Sequence, residues 1–253
     1  MNALVNVMRE AYARLVSPAR RKAIYRLLHA SDYRALRTAV FESTKGAFSL
    51  RRCDQLRAIF VHTPKAAGTS IALSIFGELP YHYMAADYLA IFGRSTFEAY
   101  FTFTFVRNPW DRLYSAYTFL SRGGWDDKDK AWAAEHLAPY RDFADFVRRG
   151  LERPEVQAFM HFIPQHEFVC DRRGRVLVKH VGYFETIADD FRAICRRIGV
   201  DAELAHTNRS TEADYRGAYD DETRAIVARV YARDIAIFGY GFDGIVSRVP
   251  LPA

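Results

Sequence analysis

Ile59-Phe-Val-His-Thr-Pro-Lys65-Ala-Ala-Gly-Thr-Ser70 is the stretch that decides how this chain folds. Ile59 to Val61 is a short apolar run suited to a buried strand. Pro64 ends that pattern, and Thr69 and Ser70 open a helix through Leu73, Ile75 and Phe76 that closes near Gly77. A strand, a tight loop and a helix start aim backbone N–H groups and a helix dipole at an anion. Lys65 adds a movable positive charge, and Thr69 and Ser70 add hydroxyl donors. This is not a Walker loop, which needs two glycines flanking four residues and a lysine directly after the second. Here Lys65 precedes Gly68. Taken alone, the stretch is equally well read as an ordinary strand-helix turn with a surface lysine.

A second stretch tips the balance: Phe103-Thr-Phe-Val-Arg107-Asn-Pro-Trp-Asp-Arg112-Leu-Tyr-Ser115. Phe101 to Val106 reads as another strand, Asn108 as a good N-cap and Pro109 as a good first helical residue. Arg107 then stands beside a helix N-terminus, where an anion is favoured. Arg112 and Ser115, three apart, share a helix face. The plainer alternative pairs Arg107 and Arg112 with Asp111 or other carboxylates. Two strand-to-helix junctions, each with cations and hydroxyls, favour a ligand that carries phosphate at both ends.

Together these stretches resemble the sulfotransferases that use 3′-phosphoadenosine-5′-phosphosulfate (PAPS), above all the bacterial and carbohydrate (Golgi-type) branch. Pro64 to Ser70 is similar to that family's 5′-phosphosulfate loop, and Arg107 to Ser115 to its 3′-phosphate motif. The likeness runs over roughly residues 55–243, through His161-Phe-Ile-Pro-Gln165, Gly182-Tyr-Phe-Glu185 and Phe238-Gly-Tyr240. It implies an α/β, P-loop-like three-layer fold with a mostly parallel central sheet. It also implies sulfuryl transfer from PAPS, without a metal, to an acceptor hydroxyl, with a carbohydrate or glycolipid as the family-weighted acceptor. The donor would be held by Lys65, Ala67, Gly68, Thr69, Ser70, Arg107 and Ser115, with Arg209 and Ser210 near the 3′-phosphate. Lys65 would act on the leaving oxygen. His82 is the candidate base, with Glu78 and Asp87 behind it, because imidazole titrates near neutrality. His161 and Gln165 are acceptor-side candidates. Two other classes stay open: a P-loop-like nucleotide kinase or phosphotransferase, and an inactive nucleotide-binding or membrane-interaction protein.

The rest of the chain sets the context. It has 253 residues, half of them hydrophobic, which suits a large core. Residues 1–50 hold nine Lys/Arg against three Asp/Glu, and the remainder holds 27 of each, so the net charge of +6 belongs to the N-terminal segment. That segment is expected to be a basic helical extension to an α/β domain over 51–253. Its helices run through Leu4 to Leu15, from Ser17-Pro18 through Ile24, Leu27 and Leu28, and from Ser31-Asp32 through Leu36, Val40 and Phe41 to Gly46. It reads most simply as a helical lid with a solvated basic face. A membrane-surface arm and an arm for acidic glycans are the alternatives, while nucleic acid is not expected, since no binding motif accompanies the charge. No apolar run of about 18 residues, no signal-peptide pattern and three scattered cysteines (Cys53, Cys170, Cys195) predict a cytoplasmic protein in a reducing compartment.

Residues 121–160 read as a helical insertion, with a loop at Gly123-Gly124-Trp125 and a short helix through Phe143, Phe146 and Val147. Trp125, Trp132 and Tyr140 suit either sugar stacking or packing. Glu167 to Cys170 and Val176 to His180 read as strands about a turn at Asp171 to Gly174. A helix follows from Ile187 through Ile198 to Gly199, then a polar loop at His206 to Ser210. A last helix runs from Asp220 through Ile226, Val230 and Ile235 to Gly239. Such strand-helix alternation argues for a parallel sheet covered by helices.

Overall fold

A computed structural model describes residues 24–26, 28–205 and 214–249. The first expected helix and the start of the second, and Arg209 and Ser210, lie outside the described residues; Ile24 to Arg26 and Leu28, expected in the second helix, are helical. A short helix, α1 (Ala30–Ala35), leads into an antiparallel hairpin of β1 (Val40–Ser43) and β2 (Gly46–Ser49). The expected helix through Val40 and Phe41 is therefore wrong. Val40 is β-branched and Phe41 aromatic, both at home in a pleated strand, and Gly46 supplies a φ of +132° where the chain reverses. The hairpin is tied to the main body: the Leu79 N–H donates to the Ala47 carbonyl (2.8 Å) and the Tyr81 hydroxyl to the Phe48 carbonyl (3.0 Å).

From α2 (Arg51–Leu56) the chain enters β3 (Ala58–Val61) and crosses through α3 (Gly68–Phe76), α4 (Ala85–Phe92) and α5 (Arg94–Ala99) to β4 (Phe101–Val106). It crosses again through α6 (Pro109–Ser121), α7 (Asp127–His136), α8 (Phe143–Arg149), α9 (Pro154–Gln157) and α10 (Gln165–Val169) to β5 (His180–Tyr183). The three strands are parallel, with β4 in the middle: Phe103 pairs with Phe60 on one side and His180 on the other. Every residue of β3 and all but the first of β4 are buried, as expected of parallel strands covered on both faces. After β5 come α11 (Ile187–Ile198), α12 (Asp221–Val230) and α13 (Ala232–Phe238), then the short pair β6 (Tyr240–Gly241) and β7 (Gly244–Ile245).

Local chemistry explains the boundaries. Asn108 caps α6 by accepting from the Trp110 N–H (3.0 Å), with Pro109 at the first helical position. Left-handed glycines close α3 at Gly77 and α11 at Gly199. Three expectations fail. Glu167 to Val169 is helical, because the Asp234 carboxylate takes the first N–H groups of α10, from Gln165 (2.7 Å) and His166 (2.9 Å). Cys170 and Val176 form an isolated bridge, and the following strand is His180–Tyr183, later than expected. The last helix is broken at Tyr231, a buried residue whose hydroxyl is anchored on the Phe162 carbonyl (2.9 Å). Two apolar cores result. One surrounds the sheet and includes Phe60, Phe103, Ile71 and Phe191. The other joins α6 to the helices over 127–162 and 221–238, and includes Trp110, Phe146, Phe162 and Tyr231.

Candidate active site

The carboxyl ends of β3, β4 and β5 lead into His62–Gly68, Arg107–Pro109 and Phe184–Glu185, the edge where α/β sheets hold ligands. In the first of these loops Lys65 (φ +70°) and Ala67 (φ +60°) both take left-handed backbone, at about 1–2 kcal/mol for each non-glycine residue. Such turns gather successive N–H groups into a concavity for an anion. Ala67 is also the N-cap of α3 and offers no side-chain acceptor to the first turn, which makes it a poor cap. A strained loop feeding a helix start without a side-chain cap is a geometry in which backbone N–H groups can receive an anion. Gly68 is required here: a Cβ would lie 1.7 Å from the His62 ring.

Arg107 leaves β4 almost fully buried, 4% exposed. Its Nε and Nη2 donate to the two Asp111 oxygens (2.7 and 2.8 Å), so the alternative pairing foreseen for it is present. Nη1 donates to the Lys65 carbonyl (3.3 Å) and the Ser115 hydroxyl (3.2 Å), and the guanidinium lies 4.0 Å over the Phe184 ring. One cation thus joins the two sequence stretches. Arg112 donates to the carbonyls of Pro64 (2.9 Å), His161 (3.2 Å) and Ile163 (2.8 Å). It pins α6 to the Lys65 loop and to the segment before α10. Asn108, Glu185 and Tyr240 also meet: Glu185 accepts the Asn108 N–H (2.6 Å) and the Tyr240 hydroxyl (2.9 Å).

Lys65 Nζ sits 3.7 Å over the Phe119 ring centroid. Burial, reinforced by Arg107 and Arg112 and opposed by Asp129, brings its pKa down from 10.5 to about 7. His82 and His62 lie 4.4 Å apart by ring centroid. His82 is exposed at the surface, while the protein packed around it desolvates its imidazole. That desolvation, with His161 nearby, lowers its pKa and favours the neutral imidazole. His161 is buried, 3.5 Å from Asp129 by Nε2 and Oδ1, and packed edge-on to Phe119. Burial lowers the His161 pKa, with Asp129 opposing. For Asp129, burial pushes the carboxyl up, but His161 and the Trp125 N–H (2.8 Å) outweigh it and hold it below the usual range.

Asp129 is the site residue that sequence reasoning missed. Its signal was the spacing Asp126-x-x-Asp129 after Gly123-Gly124: Asp126 caps α7, and Asp129 reaches back to the Trp125 N–H. Gly124, left-handed at +67°, leaves the space that the Asp129 side chain fills. Lys45 of the hairpin turn donates to the Trp125 carbonyl and lies 4.1 Å over its ring. Trp132 is stacked on Phe159 (4.0 Å) and Tyr140 packs on Phe146, so both serve packing.

Gln165 is a correction. It is fully buried, and its amide clamps the Arg107 backbone at both ends (2.9 and 2.8 Å), so it faces the sheet edge and not an acceptor. Asp87 pairs with Arg26 (2.8 Å) and accepts the Met84 N–H (2.9 Å). Glu78 lies toward Ser49, Arg51 and Arg52, away from the cluster. The three cysteines are free. No helix among the described residues is long and apolar enough to cross a membrane.

The sulfotransferase family matches residues 85–241, which include Arg107 to Ser115 and begin after the Lys65 loop. An uncharacterized protein of Archaeoglobus fulgidus is 27% identical over 125 residues, 49% of this chain and 89% of that protein. No solved structure matches.

Proposed function

Since the chain belongs to the sulfotransferase family, we propose that it transfers a sulfuryl group from PAPS to an acceptor hydroxyl on a carbohydrate or glycolipid. The observation that carries this is the strained turn at Lys65 and Ala67, opening α3 without a side-chain cap and bonded to Arg107 at the next strand end. In this reading the N–H groups of Ala67 to Ser70 hold the 5′-phosphate. Arg107 and Ser115 take the 3′-phosphate, with Nη1 exchanging its long bonds to Lys65 and Ser115 for phosphate oxygens.

The acceptor oxygen attacks sulfur as the bond from sulfur to the 5′-phosphate oxygen breaks. Negative charge gathers on that leaving oxygen, and in this reading Lys65 stabilises it. The acceptor's proton passes to the neutral His82 ring, which burial makes a weaker base than free imidazole by lowering its pKa to about 4. His161, braced by Asp129, borders the acceptor side. Catalysis here is positioning and electrostatics, with no covalent enzyme intermediate. Residues 1–50 are proposed as a basic extension able to touch an anionic membrane surface.

The test is a calorimetric titration of the protein with adenosine 3′,5′-bisphosphate and, separately, ATP, both without magnesium. Micromolar bisphosphate binding, much tighter than ATP and weakened about 10- to 100-fold by Arg107→Ala, is the expected result. Equal or absent binding sinks the two-phosphate reading.

A further inference from the structure

Beside His82 is a cavity of about 570 Å³, within the range of roughly 300–1,000 Å³ typical of small-molecule sites. Its walls are mostly apolar: Ile24 and Leu28 on one side, Met84, Met160, Ile163 and Phe168 on the others, with the Tyr25 and Tyr33 rings also lining it. Ile24 and Leu28 are four apart on one helical turn and remain 40% and 76% exposed. Asp87 also lines the space, but it is engaged by Arg26, by the Met84 N–H and by the Tyr33 hydroxyl (3.4 Å). Two rings stand between the cavity and the Lys65 loop: His82, which lines the cavity, lies against His62, and His62 against Gly68 at the start of α3.

A bare sugar chain placed here would bury hydroxyls against methyl and aromatic groups, which is costly without partners. An alkyl, acyl or aryl body would not. We propose that the acceptor is a hydroxylated amphiphile whose apolar body fills this cavity, with its reacting hydroxyl at His82. This rests on the sulfotransferase reading and narrows it to lipid-like acceptors. The segment carrying Ile24 and Leu28 is then part of the acceptor site.

The experiment titrates n-alkyl β-glucosides, from butyl to decyl and below their micelle concentrations, into the full chain with and without saturating adenosine 3′,5′-bisphosphate. Affinity should rise about fourfold for each added methylene until the cavity is full. Leu28→Asp, at an exposed position that folding tolerates, and Met160→Asp should each cut octyl glucoside affinity at least about tenfold while bisphosphate affinity stays in place. Flat affinity along the series, or a chain-length gain that survives both substitutions, overturns the proposal while leaving donor binding intact. Loss of bisphosphate binding in the parent protein instead removes the sulfotransferase reading, and the acceptor assignment falls with it.

Discussion

Lys65 is where the chemistry is most exposed to test. Its pKa falls from 10.5 to about 7 on folding, chiefly through burial. Between those values the unfolded chain binds more protons than the folded one, so this residue makes stability rise with pH across that window. Lys65→Met should therefore be more stable than the parent at pH 6, with the difference fading by pH 10, as read by urea unfolding at each pH. A phosphate beside Lys65 restores its charge. Bisphosphate binding at pH 8 should then take up close to one proton, seen by calorimetry in buffers of different ionisation enthalpy, and none in Lys65→Met. Unchanged proton uptake in the variant would put the lysine outside the site. Gly68 offers a second test, of packing. Gly68→Ala drives a methyl into the His62 ring and should cost about 1–3 kcal/mol of stability. His62→Ala should recover most of that in the double variant, and an additive result would deny the contact.

Among the elements, α6 does the most joining. It begins in the Asn108 cap, carries Trp110 and Leu113 into the second core, and sends Arg112 back to three carbonyls on two other segments. Arg112→Met keeps the volume but strands those carbonyls, and should destabilise the fold by about 2–4 kcal/mol in urea unfolding. It should also loosen the turn at Pro64, so bisphosphate affinity drops although Arg112 is buried away from the ligand. At this scale the sequence was legible wherever a helix or strand carried its own punctuation. Asn108-Pro109 marked α6, Gly77 and Gly199 closed their helices, and Phe101 to Val106 read as a strand. It was illegible where tertiary partners decided. Glu167 to Val169 suits either state until Asp234, far along the chain, caps it as a helix. Val40 and Phe41 fit a helical period and a strand alike until Leu79 pairs with the hairpin.

Across the whole molecule, the two cores meet at the candidate site. Lys65 and Arg107 come from loops of the sheet core, while Phe119, Asp129 and His161 belong to the helical side. Residue types and helix starts announced Lys65 and Arg107, because those signals are local. Asp129 was hidden, since its partner His161 is brought to it only by folding. Gln165 was misassigned for the mirror reason: a polar residue in a promising motif proves to be a buried brace. The contact of Lys45 with Trp125 gives this architecture an optical signature. Of the three tryptophans, Trp110 is buried and Trp132 is stacked on Phe159, whereas Trp125 is 39% exposed with an ammonium over its ring. Iodide, drawn to that ammonium, should quench the long-wavelength edge of the emission selectively. The same glow then reports in real time whether the hairpin is seated on the Asp129 turn, one residue type acting as a built-in lamp for the approach to the cluster.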